Sequence, residues 1–214
     1  MATRKRPRST LVLLVRHGET PTTGKVLPGR APGLHLSDHG RAQAEQVAER
    51  LAGVPVDAVL TSPLERTRET AEPTEARTGR AAVVDPGLLE CDFGEWTGAE
   101  LSRLSRLSAW STVQRAPSTF RFPGGESFPE MQARMVGAVD RARAEHEGGV
   151  VVCFSHADPI KAALAHALGT HLDLFQRIVV SPCSVSAISY APGQAPAVLT
   201  LNSTHEPLSG LRVS

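Results

Sequence analysis

The chain has 214 residues, 41% of them hydrophobic and 21% charged, with a formal net charge of +1. That length and apolar content suffice for a full core in one domain, or in one domain carrying an insertion. The near-zero charge excludes the electrostatic footprint of a nucleic-acid binder or a membrane-surface protein, and no apolar run is long enough to span a bilayer.

Basic character is concentrated in Arg4-Lys5-Arg6-Pro7-Arg8. The apolar run that follows, Leu11 to Val15, is too short for a secretion signal and leads into Arg16 rather than a small-residue cleavage site. Residues 1–9 are therefore read as a frayed tail. Cys91, Cys153 and Cys183 are odd in number and widely spaced, so they suggest neither a disulfide framework nor a zinc site. A reducing cytoplasm is the expected compartment.

Leu11-Val12-Leu13-Leu14-Val15 reads as a strand covered on both faces, as in a parallel sheet. It runs into Arg16-His17-Gly18-Glu19-Thr20. Parallel sheets place ligands at the carboxyl ends of their strands, where Arg16 and His17 would emerge. A guanidinium pairs with phosphate oxygens, a neutral imidazole can attack phosphorus, and Gly18 lets backbone and substrate approach closely.

Residues 20–36, rich in Pro and Gly, read as a loop. Ser37 or Asp38 then caps a helix burying Ala44, Val47, Ala48 and Leu51 and ended by Gly53. A second strand, Val56 to Thr61, meets Ser62-Pro63-Leu64-Glu65, a capping-box pattern that puts Arg66 in the first turn of a helix reaching Thr78, with a kink expected at Pro73. That is an anion-binding position.

A short strand, Ala81 to Val84, and a turn at Asp85-Pro86-Gly87 precede Leu88 to Gly98, whose mix of acidic, aromatic and glycine residues marks a functional loop. A helix through Leu101, Leu104 and Leu107 follows, then a Pro-containing stretch. Residues from about 91 to 125 are read as an insertion that covers the site and selects substrate. Ser127-Phe128-Pro129-Glu130 is a second capping pattern, opening a helix with Met131, Met135, Ala138 and Ala142 on one face.

Val150 to Phe154 is another apolar strand, ending in Ser155-His156-Ala157-Asp158-Pro159. Asp158 as N-cap and Pro159 in the first turn would start the next helix beside His156, with Ile160, Ala163, Leu164, Ala167 and Leu168 on one face. Ile178 to Val180, Ser184 to Tyr190 and Ala197 to Leu201 read as strands, the last two forming a hairpin through Pro192-Gly193. Strands alternating with helices predict a three-layer α/β domain with a mostly parallel sheet.

One construction recurs: a buried strand ends, a phosphate-serving residue follows, and a capped helix or loop leaves. If the strands are neighbours, Arg16, His17, Arg66 and His156 surround one phosphate, the guanidiniums stabilising its oxygens as His17 attacks in line. Glu90 is the best placed acid to protonate the leaving alkoxide and then to activate water.

These residues also carry a family resemblance. Arg16-His17-Gly18-Glu19-Thr20, Ser62 to Ala71, Glu90 to Gly98, Phe122 to Ser127 and Ser155-His156 resemble, in order and across nearly the whole chain, the motifs of the histidine phosphatase superfamily. The matching branch is the one related to cofactor-dependent phosphoglycerate mutase, and several segments resemble an actinobacterial phosphomutase and phosphatase group. The resemblance implies that His17 is the phosphorylated residue, that Arg16, Arg66 and His156 complete the phosphate pocket, and that Glu90 is the proton donor. It implies no cofactor and catalysis without a metal, on a small phosphorylated metabolite. Two positions depart from the family pattern: Thr23 stands where asparagine is usual, and Ala157 where glycine is usual. Both are still read as phosphate-binding positions, and the departures bear on rate and fit more than on reaction type.

Bland readings cover the rest. His35, His39, His146, His166, His171 and His205 are taken as surface or core histidines, Arg68 and Glu69 as a solvated face, and Trp96 and Trp110 as core packing or a pocket mouth. Metal binding by His17, His156 and Glu90 is disfavoured by the adjacent guanidiniums and by the lack of HxH or HExxH spacing. Hydrolysis is preferred to mutase transfer because the chain is short for a mutase, and a non-catalytic phospholigand module has no use for Glu90. Oligomeric state is left open, a homodimer being one option.

Overall fold

The computed structural model describes residues 8–205 together with Leu208 and Leu211. Most of the expected frayed tail, residues 1–7, lies outside the described residues; of the remainder Arg8 is exposed but Ser9 is buried, immediately before the first strand.

A six-stranded sheet runs in the order β4 (Ala82–Val84), β3 (Ala58–Thr61), β6 (Val150–Ser155), β1 (Thr10–Arg16), β7 (Val185–Tyr190), β8 (Ala197–Ser203). The pairs β4–β3, β3–β6 and β6–β1 are parallel, while β7 and β8 add an antiparallel hairpin. Alternation along the strands builds two cores. Leu11, Leu13 and Val15 pack with Val47 and Leu51 of α1 (Asp38–Leu51) and Ala71 of α2 (Glu65–Thr78). Val12 and Leu14 face the other way, onto Met135, Ala138 and Val139 of α5 (Phe128–Glu145) and Ile160 and Leu164 of α6 (Ala157–Ala167). This is the expected three-layer arrangement, with the central strands buried on both sides.

A third cluster joins residues 91–128 to α5, α6 and the segment Leu172–Arg177. Phe93, Phe122, Phe128 and Phe175 are buried with Val113 and Met131, and Trp96 stacks on Trp110 with ring centroids 6.2 Å apart. The segment holds β5 (Ala99–Glu100) and the short helices α3 (Leu101–Leu104) and α4 (Ser108–Arg115), so the single helix expected through Leu107 is broken in two. β5 pairs antiparallel with β2 (Val26–Leu27), a strand inside the stretch expected to be loop. Two residues on each side are too short for a period-two pattern to be read.

The local signals at α1 and α5 hold. Ser37 accepts the Gly40 N–H, and Ser127 and Glu130 form both bonds of a capping box. Four expectations are corrected. Ser62 does not cap α2; the N-cap is Leu64, without a side-chain bond. Asp158 does not cap α6; the N-cap is His156, and Asp158 sits inside the first turn, paired with Lys161 at 3.2 Å. Ile178 to Val180 is no strand; its last carbonyl, that of Val180, is taken by the Arg16 side chain. α2 continues through Pro73, and it buries a polar face of Arg66, Thr67, Thr70 and Thr74 rather than an apolar one. Glu69 is not on a solvated face: it accepts the Leu36 N–H at 2.9 Å and pairs with His35, tying the loop before α1 to α2.

Candidate active site

Because β3, β6 and β1 are consecutive in the sheet, their carboxyl ends lie side by side. Arg16 is in register with Ser155, and His17 donates its backbone N–H to the Ser155 carbonyl at 3.0 Å. His17 and His156 therefore emerge next to each other, ring centroids 5.2 Å apart and edge to face. Both are buried, and Arg66 and His156 are fully so.

Each side chain is fixed by one bond and left open elsewhere. The Nδ1 of His17 lies 2.7 Å from the Gly18 carbonyl, which assigns the proton to Nδ1 and leaves Nε2 with its lone pair. Burial, reinforced by the Arg66 and Arg16 charges, pushes His17 well below the usual histidine range, so the ring is neutral. Arg16 is anchored by Nη1 on the Val180 carbonyl at 2.7 Å, and Arg66 by Nη2 on the Gly29 carbonyl at 2.8 Å. The His156 Nε2 is 2.8 Å from the Ser62 hydroxyl. What is left is an unusual set of buried polar atoms without partners: Nε of Arg16, Nε and Nη1 of Arg66, and Nδ1 of His156. Buried guanidinium N–H groups without acceptors are costly, and an anion among them removes that cost. The N-terminal amides of α6, which has no side-chain cap, add donors of the same sign.

Glu90 follows β4 and a 3₁₀ turn, Pro86–Leu88. It is 7% exposed, and its Oε1 accepts the Cys91 N–H at 2.9 Å. Burial and the Asp158 charge push its carboxyl up to about 7, against the opposing pull of Arg66, the Cys91 N–H and Arg16. Those mutual influences place Glu90 within electrostatic reach of both arginines. The fold thus brings His17 and His156 together beside Arg16 and Arg66, with Glu90 within electrostatic reach of the two arginines.

Thr23 and Ala157 stand differently. The Thr23 hydroxyl accepts the Thr20 N–H at 2.9 Å and lies 3.0 Å from the Thr20 hydroxyl, so its bonds stay within its own turn. Ala157 opens α6 directly after His156. Gly18 is required by backbone rather than by ligand, since an added Cβ would sit 2.6 Å from the Gly40 carbonyl oxygen. Among the described residues, no group of three or more His, Cys, Asp or Glu side chains is placed to hold a metal ion, and Cys91, Cys153 and Cys183 are free thiols. Among the described residues, no helix is long and apolar enough to cross a membrane.

The family model of the histidine phosphatase superfamily, branch 1, matches residues 12–204 of this chain. The chain belongs to that superfamily. An uncharacterised Mycobacterium tuberculosis protein is 38% identical over 169 residues, 78% of this chain and 82% of that protein. The probable phosphoglycerate mutase GpmB of Erwinia tasmaniensis is 31% identical, with 84% of each chain covered. Among solved structures, a mycobacterial glucosyl-3-phosphoglycerate phosphatase superposes with a TM-score of 0.82 at 25% identity, over 92% of this chain and all of that one.

Within this histidine phosphatase the residues that sequence reasoning missed are supports. Ser62 was read as a cap but holds His156, while Thr67 and Thr70 tie α2 to the site, Thr67 donating to the Ser62 carbonyl at 2.9 Å and Thr70 accepting the Gly18 N–H at 3.1 Å. The one available signal was the run of threonines on the buried face of α2, polar residues where an apolar stripe belongs.

Proposed function

We propose that this chain is a phosphomonoesterase that passes its substrate's phosphoryl group through His17. The observation that carries the reading is the set of unpartnered buried donors on Arg16, Arg66 and His156 beside the free Nε2 of His17. A phosphate in that space accepts from the two guanidiniums, from His156 and from the amides of Ala157 and its neighbours. The positive charges stabilise the equatorial oxygens, and so the chemistry needs no metal. The Thr23 hydroxyl, engaged by the Thr20 N–H and the Thr20 hydroxyl within its own turn, meets a phosphate oxygen only by giving up the hydroxyl contact.

In the first step the Nε2–P bond forms and the bond to the leaving oxygen breaks, with the Glu90 proton passing to that oxygen. In the second step the Glu90 carboxylate takes a proton from water, the water oxygen bonds to phosphorus and the P–Nε2 bond breaks. Glu90, held near 7 by burial first and by Asp158 second, is suited to both directions. Residues 91–125 cover the site in this reading, within a single catalytic domain, and their aromatic cluster selects a small phosphorylated metabolite.

The likeness to GpmB favours one second reading, transfer of the phosphoryl group to a bound sugar acid instead of water. The test is turnover of p-nitrophenyl phosphate and of 3-phosphoglycerate, with and without a bisphosphoglycerate primer. We expect primer-independent release of phosphate and an acid-labile phosphoenzyme that His17→Ala cannot form. Primer-dependent isomerisation without phosphate release would replace hydrolysis by the mutase reading.

A further inference from the structure

Glu90 sits on a segment with no strand or long helix to fix it, yet its proton must reach one particular oxygen. The backbone there is gripped by Arg134 of α5. Its Nη1 donates to the Gly87 carbonyl at 2.8 Å and the Leu89 carbonyl at 2.9 Å, and its Nη2 to the Glu90 carbonyl at 3.2 Å. Its Nε and Nη2 also bind the two oxygens of Glu126, at 2.8 and 3.0 Å. A guanidinium has five N–H donors, and these contacts use all of them.

Arg30, from the stretch after β2, closes the other side. Its Nε donates to the same Glu90 carbonyl at 2.8 Å, and its Nη2 lies 2.8 Å from Glu126. Glu126 also accepts the Asp92 N–H at 3.0 Å, so one carboxylate bridges two arginines and the chain just past Glu90. Burial opposes its charge, but Arg134, the Asp92 N–H and Arg30 hold Glu126 below the ordinary carboxylate range, so it stays ionised. Arg134 lies on α5, Glu126 just before that helix, and Arg30 about a hundred residues earlier in the stretch after β2.

We infer that Arg134, Glu126 and Arg30 form a positioning clamp that aims the Glu90 carboxyl at the leaving oxygen without touching substrate. The clamp rests on the proposed role of Glu90 as proton donor. Its signature is selectivity by leaving group. Loss of aim penalises esters of alcohols, whose alkoxides need a proton, and spares esters of acidic phenols, which leave unaided.

The experiment measures kcat/KM, which reports only steps through departure of the alcohol, for glycerol phosphate and for 2,4-dinitrophenyl phosphate. Wild type, Glu90→Gln, Arg134→Lys and Arg30→Gln are compared, with thermal melts to confirm folding. Lysine keeps the charge of Arg134 but cannot make five directed bonds. We expect Arg134→Lys to lower kcat/KM for glycerol phosphate by about 10- to 100-fold and for the dinitrophenyl ester by less than about threefold. Arg30→Gln, which removes one side of the clamp and leaves the Arg134–Glu126 pair in place, should show the same pattern more weakly and supplies the test if Arg134→Lys fails to fold. If Glu90→Gln discriminates between the esters but the clamp variants lower both alike or neither, the clamp falls and the donor reading stands. If Glu90→Gln itself fails to discriminate, the donor reading falls and takes the clamp with it.

Discussion

His17 and Glu90 face the same guanidiniums, yet the chain holds them in opposite ways. His17 leaves a central strand whose neighbours on both sides are hydrogen-bonded to it, and its ring is fixed by the carbonyl of the very next residue. Glu90 lies on a connecting segment whose carbonyls are caught by arginines 60 residues earlier and 44 residues later. His17, the proposed nucleophile, is thus placed by the sheet itself, and Glu90, the proposed acid, by side chains that reach in. A strand end moves only with the core, whereas a clamped segment moves whenever one ion pair lets go. Sheet-borne geometry therefore suits the in-line attack proposed for His17, and clamp-borne geometry the proton exchange proposed for Glu90.

The sharpest way to break that contrast is to remove each group in turn. His17→Ala should lower turnover of any phosphomonoester by about 10³-fold or more, the scale on which losing a nucleophile acts, while vanadate still binds, measured by fluorescence titration. Turnover within tenfold of wild type would remove His17 from the chemistry. Glu90→Gln should lower kcat/KM for alkyl phosphates by about 10²-fold, within the range for general acids.

The acidity of Glu90 gives a second reading of the same variant. The acid is protonated below about 7, so wild-type kcat/KM for an alkyl ester should fall as pH rises through that value, and Glu90→Gln should lose this limb. The sign for stability follows. The fold favours the protonated carboxyl, a contribution present at low pH and lost as pH rises from the ordinary carboxylate range through about 7. Glu90→Gln, neutral at every pH, should therefore stabilise the protein on the order of 3 kcal/mol at pH 8, and clearly less at pH 5, by denaturant melts. Equal effects at both pH values would mean that Glu90 is not strained by its burial.

Ser62→Ala tests a smaller, sheet-borne support. It leaves the Nε2 of His156 without its partner, so vanadate binding should weaken about tenfold, close to 1.4 kcal/mol, with thermal stability also reduced. Unchanged binding would mean that Ser62 does not set the tautomer of His156. The smallest expected effect is none: dialysis against a chelator should leave turnover unchanged, since the two guanidiniums supply the charge. Loss of turnover restored by a divalent ion would overturn that view.

Burial and periodicity made the sheet-borne half legible from the sequence. Five apolar residues before Arg16-His17, and a similar run before Ser155-His156, announce central strands and their ligand-bearing ends, and the capping box at Ser127 announces α5. These signals are local, each contained within a few residues. The tertiary structure alone decided what polar side chains do across long separations: Ser62 turned from cap to partner of His156, Asp158 from cap to a charge that raises Glu90, and the Val180 carbonyl became an anchor for Arg16 instead of part of a strand. The Arg134–Glu126–Arg30 clamp belongs to the same class. The physical reason is that apolar burial follows a repeat written along the chain, whereas a hydrogen bond is satisfied by whichever donor and acceptor the finished fold brings within 3 Å of each other.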